Sequence, residues 1–206
     1  MEANRTAVLG LFRSGSTAVA GVLHRLGVQM GEPFWRDYYE SESIGLELRT
    51  WWNEPFLEET VPQSQRIEAL KRWVEEQERR GGPVGLKHPL LSLCGEDLQA
   101  AWGSSTRFIW SCRALEDSVR SLENKKWWPN ARFVQERLWA AVTRFCSGQD
   151  HLRIEFAELI NDPRREVHRI AEYLNLHPSE QQVKQAIRFV KPKKSKFTSG
   201  PSRKAA

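Results

Sequence analysis

The sequence predicts an α/β protein: a parallel β-sheet with helices packed on both faces, three layers in all. Short, mostly apolar runs alternate along the chain with longer stretches whose apolar residues recur at helical spacing, the pattern of strand–helix–strand units. Within the runs the apolar residues are consecutive, as in Ala7-Val8-Leu9. That is the expectation for strands covered on both sides.

Each element follows in order. Thr6–Phe12 reads as the first strand, broken by the turn chemistry of Arg13-Ser14-Gly15-Ser16-Thr17. From Thr17, Val19, Val22, Leu23 and Leu26 fall on one helical face, and Gly27 supplies a stop. Residues 28–64 are irregular, rich in Trp, Tyr and Glu and punctuated by Gly31, Pro33, Gly45, Pro55 and Pro62, so they read as loop plus a short helix. Residues 65–80 form a charged amphipathic helix with Ile67, Leu70, Trp73 and Val74 inward, ended by Gly81-Gly82-Pro83. Val84–Leu86 is a second strand, stopping at Lys87-His88-Pro89, and Arg107–Cys112 a third. Helices are expected from about Leu115 and over 131–147, the latter burying Phe133, Leu138, Ala141, Val142 and Phe145. His151–Phe156 is the fourth strand, followed by helices at 164–174 and 179–189. Asp162-Pro163 caps the first of these two helices.

Composition narrows the function. At 206 residues, 40% apolar and 28% charged, the chain has room for one domain, placed at 1–190, with a basic segment at 191–206. A domain of this size buries about 70% of its unfolded surface. No apolar run approaches the roughly 20 residues that span a bilayer, and no signal-like stretch follows Met1, so a cytoplasmic protein is expected. Cys94, Cys112 and Cys146 are odd in number, far apart and set among apolar residues, which predicts reduced structural thiols and no metal site. The net charge of +5 arises from the C-terminal segment. Without its six basic side chains the body holds 25 basic and 26 acidic residues, which disfavours a nucleic-acid-binding surface.

The turn after the first strand carries the chemistry. Gly10-Leu-Phe-Arg-Ser-Gly15-Ser16-Thr17 matches the phosphate-loop pattern G-x-x-x-x-G-K-[ST] except at the lysine, which is Ser16. A strand feeding a glycine turn into a helix start offers converging amides and a partial positive charge to an anion. The missing lysine disfavours, without removing, a divergent phosphate-loop kinase or NTPase. A serine-rich capping turn would read the same.

Two further segments give the loop a family context. Arg107-Phe-Ile-Trp-Ser-Cys-Arg113 leads to Ser121 eight residues on, and 154–163 reads Ile-Glu-Phe-Ala-Glu-Leu-Ile-Asn-Asp-Pro. With Arg13–Thr17, these resemble the sulfotransferase superfamily, in particular its compact bacterial-type members. The resemblance implies a phosphate-loop-NTPase-like fold and transfer of a sulfuryl group from 3′-phosphoadenylyl sulfate (PAPS) to a hydroxyl or amine. Adenosine 3′,5′-bisphosphate (PAP) would be the product, and no metal would be needed. It implies that Arg13, Ser14, Gly15, Ser16, Thr17 and Ala18 cradle the phosphosulfate end of the donor and that Arg113 and Ser121 hold its 3′-phosphate. It also makes Lys193 and Lys194 candidates for a loop closing over the nucleotide.

Arg13 and Lys87 are then expected at the sulfuryl oxygens. For the base that takes the acceptor's proton, two candidates stand side by side. His88 lies at a strand end, and its ordinary pKa near 6.5 suits neutral pH. Glu47, in Ser43-Ile44-Gly45-Leu46-Glu47, resembles a glutamate that faces the acceptor in bacterial relatives. Nine tryptophans are many for this length. Trp35, Trp51, Trp52, Trp127 and Trp128 are candidates for an acceptor groove, whereas Trp73, Trp102, Trp110 and Trp139 read as core. The acceptor itself, a small molecule or glycan, is left unidentified, and a nucleic-acid-binding module using the basic segment is the non-enzymatic alternative.

Overall fold

The computed structural model describes residues 5–53 and 56–190. Four strands form one sheet: β1 Arg5–Gly10, β2 Val84–Lys87, β3 Arg107–Cys112 and β4 His151–Glu155. Their order is β2-β1-β3-β4 and every pairing is parallel. Nine α-helices accompany them among the described residues: α1 Ser16–Arg25, α2 Glu42–Thr50, α3 Gln63–Glu78, α4 Gly95–Trp102, α5 Leu115–Glu123, α6 Ala131–Ser147, α7 Phe156–Asn161, α8 Pro163–Tyr173 and α9 Glu180–Val190. None of the described helices is long and apolar enough to cross a membrane.

The two faces of the sheet are read off β1. Ala7 and Leu9 join the apolar cluster that buries Leu70 and Trp73 of α3, Leu98 of α4 and Leu138 of α6. Val8, between them, joins the opposite cluster with Val19 and Leu23 of α1, Ile170 of α8 and Ala186 of α9. Alternate residues thus enter opposite layers, and the expected three-layer arrangement stands. Cys94, Cys112 and Cys146 are buried free thiols, and burial pushes those of Cys112 and Cys146 up to about 12.

Several expectations need correction. Residues 95–102, left without an element, form α4, an eight-residue helix opened by Glu96 and Asp97 in its first turn. Phe156, expected to close the fourth strand, begins α7 directly at the strand end. Phe133, expected in the core, is 40% exposed. Val134 takes the inward position in α6, and Phe133 packs edge-on against Phe56 instead. Trp51 is not a groove residue but fully buried, against Trp52.

The strand order places a site. Helix α1 follows β1 onto one face, whereas α5 and α6 follow β3 and α6 packs on the other. The carboxyl ends of β1 and β3 therefore flank the crevice where ligands bind in open parallel sheets. Ser92, just after β2, fixes the end of β1 by accepting from Gly10 N at 2.9 Å and donating to Gly10 O at 3.0 Å. The backbones close tightly there: a Cβ on Gly10 would lie 2.7 Å from Ser111 O.

Candidate active site

The loop Leu11–Gly15 leaves β1 and turns into α1. Gly15 has φ of 95° and is the N-cap of the helix. A Cβ there would stand 2.2 Å from the Phe156 ring, so both the dihedral and the space call for glycine. No side chain caps α1 and its first turn holds no acid. The start of α1 therefore has no side-chain cap of its own, an arrangement that suits an anion. Ser14 is wholly buried, and its Oγ has no hydrogen-bond partner among the described residues, an orphaned polar atom at the base of the loop. Its carbonyl accepts from Ser111 Oγ at 3.3 Å.

Two arginines and a serine meet on the β3 side. Arg113 donates from Nη1 to Arg13 O at 3.2 Å, and Arg13 donates from Nε to Ser121 Oγ at 3.2 Å. Arg113 also lies over the Phe156 ring and Arg13 over Trp127. Arg13 itself has φ of 63°, a conformation that non-glycine residues adopt at a cost of about 1–3 kcal/mol.

A buried charge cluster forms the β2 side. Lys87, the last residue of β2, is 2% exposed. Its Nζ donates to Glu40 Oε1 at 2.6 Å, Thr17 Oγ1 at 3.2 Å and Tyr38 O at 3.2 Å, which uses all three of its hydrogens. Burial lowers the Lys87 pKa, and the neighbouring Glu40 charge restores part of it. For Glu40, burial alone would raise the pKa. The charge of Lys87 leads the opposing contributions, with His88 and Arg49 behind it, and holds the carboxyl below its ordinary value.

His88 is 3% exposed, and its Nδ1 accepts from Leu90 N at 3.2 Å. The neutral ring therefore carries its proton on Nε2, which lies 3.8 Å from Glu40 Oε2. Burial, the largest influence, brings the His88 pKa down to about 4.

Most of these groups share one cleft of about 590 Å³. Phe12, Trp35, Trp52, Leu57, Trp127 and Trp128 form its apolar walls. Among the described residues six non-glycine ones have positive φ, and Arg13, Arg36 and Leu57 of these line the cleft. Tyr39 and Lys126 are chain neighbours of residues that do, and Asn175 alone lies elsewhere. Backbone strain of this kind concentrates at functional sites.

No protein-family model and no curated protein sequence matches the chain. Solved structures do. Sulfotransferase STF9 from Mycobacterium avium superimposes with a TM-score of 0.68 at 15% identity, covering 92% of this chain and 68% of that one. Sulfotransferase STF1 from Mycobacterium tuberculosis H37Rv gives 0.54 at 18% identity, over 91% of this chain and 71% of that one. At these identities the likeness is one of fold. A sugar kinase from Janibacter sp. HTCC2649 matches too, with a TM-score of 0.54 at 14% identity over 85% of this chain and 96% of that one. Those two sulfotransferases and this sugar kinase thus share the layered sheet seen here.

On this fold, the residues singled out from sequence separate into four groups. Arg13, Gly15, Ser16, Thr17, Ala18, Lys87, His88 and Arg113 line one cleft. Ser14 lies beneath its loop and Ser121 is joined to it through Arg13. Glu47 is not among the lining residues: it faces Arg72 of α3 at 3.8 Å, because α2 turns Ile44, Gly45 and Leu48 inward. Lys193 and Lys194 lie outside the described residues. The carboxylate in the cleft is Glu40, which the sequence reading passed over. It sits in an irregular stretch with no periodicity, and its only signal was an acid directly after Tyr38-Tyr39.

Proposed function

We propose that this chain is a PAPS-dependent sulfotransferase acting on a hydroxyl or amine acceptor. The observation that carries the reading is the joining of Arg13, Arg113 and Ser121 beside the uncapped start of α1. That sets two guanidinium groups and a hydroxyl beside a helix start, the kinds of group that a doubly phosphorylated nucleotide needs. The backbone of Ser14–Ala18 and the Arg13 side chain would hold the phosphosulfate end. Arg113 and Ser121 would take the 3′-phosphate, where a guanidinium suits a dianion. The donor supplies an activated sulfuryl group on a good leaving group, so the protein's task is positioning, charge stabilisation and proton removal.

Glu40 is the residue we assign to the proton. Its Oε1 is held by Lys87, whereas Oε2 has no hydrogen-bond partner among the described residues and is free to accept from the acceptor's O–H or N–H. His88 is poorly suited to that role, because its one available nitrogen already bears hydrogen. It is fit instead to donate from Nε2 and orient the acceptor or Glu40. Lys87 brings positive charge to the junction of the two ligands.

The sugar-kinase likeness favours a second reading, phosphoryl transfer from ATP, against which stands Ser16 at the lysine position of the loop. Calorimetric titration of PAP beside ATP–Mg²⁺ separates the two. Micromolar PAP binding, weakened at least tenfold by Arg113→Ala, is expected. Tighter binding of ATP–Mg²⁺ would overturn the donor assignment.

A further inference from the structure

The cleft wall opposite the anion sites is built by the segment between α1 and α3, and it carries two cations that the donor does not call for. Arg49, in the last turn of α2, places its guanidinium 5.4 Å from the centre of the Trp35 ring. Arg36 approaches the same ring at 5.9 Å. Trp35 is itself 39% exposed, so a partly open indole is approached by two guanidinium groups. Neither arginine has a carboxylate partner among the described residues, although many arginines elsewhere do: Arg5 with Glu78, Arg66 with Asp97, Arg132 with Glu116 and Arg165 with Glu158. The carboxylate of the cleft, Glu40, is already engaged by Lys87.

The positions of these arginines are specified. Arg36 is held at φ of 53° and Tyr39, three residues on, at 55°, so the backbone bears strain to set the loop that presents Trp35 and Arg36. Arg49 shares a second, smaller depression with Trp35, Glu40 and His88, and its charge acts on both Glu40 and His88. The arginine pair therefore borders the residues assigned to the acceptor's reacting group. The neighbouring walls are flat and apolar: Phe12 against Trp128 at 5.7 Å and Tyr38 edge-on to Trp127 at 6.4 Å.

We infer that the acceptor is an anionic aromatic alcohol or phenol, its ring lying among the cleft aromatics and its carboxylate read by Arg36 and Arg49. This rests on the sulfotransferase reading for the reaction but not for the binding. A planar ring gains contact area against indole faces. A carboxylate matches the guanidinium fork and gains more from a partly dry cleft than from water. The hydroxyl, at the other end of the ring, is left to Glu40.

The test uses a matched pair, 6-hydroxy-2-naphthoate and 2-naphthol, titrated calorimetrically into wild type and the Arg36→Gln/Arg49→Gln variant, with PAP titrated into both proteins separately. The expected result is a naphthoate preference of about tenfold in wild type, the size of a charge-assisted hydrogen bond. It should fall to near unity in the variant while PAP affinity stays within twofold. Equal binding of the two naphthols by wild type, a preference that survives the variant, or no binding of either compound would overturn the inference. Loss of PAP affinity in the variant would also overturn it, by assigning the arginines to the nucleotide. Failure of PAP to bind wild type, with the naphthoate preference intact, would instead remove the donor reading and leave the anion-reading pair standing.

Discussion

Lys87 Nζ lies 2.6 Å from Glu40 Oε1 although the two residues are 47 positions apart in the chain. The pair ties the end of β2 to an irregular loop that has no strand of its own. Removing one partner of a buried pair strands the other charge, at a cost of about 3–5 kcal/mol. Lys87→Met is therefore expected to lower unfolding free energy by about 3 kcal/mol, and Lys87→Met/Glu40→Gln to recover more than half of the loss. Urea unfolding of the three proteins measures this. A double variant no more stable than Lys87→Met would mean that the charge pair is not what holds the loop.

Turnover separates Glu40 from its neighbour. A positioned base contributes about 10²–10⁴-fold, so Glu40→Gln should lower kcat at least 10²-fold, followed as transfer of labelled sulfate to a panel of phenols. PAP affinity should stay within a few-fold. His88→Gln should cost far less, since Gln supplies a donor where Nε2–H was. A larger loss in His88→Gln than in Glu40→Gln would reverse the two roles.

Acid stability follows from His88. Its pKa drops from 6.5 to about 4 on folding, so between those values the unfolded chain binds the proton and the folded chain does not. Stability is then fully present above pH 6.5 and is lost as pH falls towards 4, by up to about 3 kcal/mol. Lys87, Glu40 and Arg49 are the charged groups that act on the ring. Glu40 adds its own loss only below the ordinary carboxylate pKa, because its folded value is lowered. Unfolding midpoints from pH 7.5 to 4 should fall more steeply for wild type than for His88→Gln, and parallel curves would refute the assignment.

Gly15→Ala tests the loop. The new methyl would meet the Phe156 ring and the residue would keep φ near 95°. A stability loss of about 1–3 kcal/mol is expected, with PAP binding weakened tenfold or more. Adding Phe156→Ala should relieve the collision but not the dihedral, so recovery is partial. Full recovery would mean that the ring alone demanded the glycine.

What was readable in the sequence followed from locality. Arg13–Thr17 and the Arg113/Ser121 spacing lie where a strand meets a helix, so the geometry is fixed within ten residues or so and the side chains announce it. Glu40 was hidden because its role depends on Lys87, which the sheet brings to it from β2. Glu47 was the more visible acid, sitting on a short helix, but the apolar residues of α2 turn it toward Arg72. Phe133 failed for a related reason: one residue along a helix is 100° of rotation, and Val134 fills the inward position. Helix α4 escaped notice because eight residues with two apolar anchors make too short a period to register.

The segment between α1 and α3 forms one wall of the cleft yet, among the described residues, contributes no named strand to the sheet. It is nevertheless tied to β2, because Gln29 bridges Val84 and Glu40 holds Lys87. A graft of this segment from another protein of the same fold would therefore have to bring a carboxylate to the place of Glu40, or leave the Lys87 charge stranded at the end of β2.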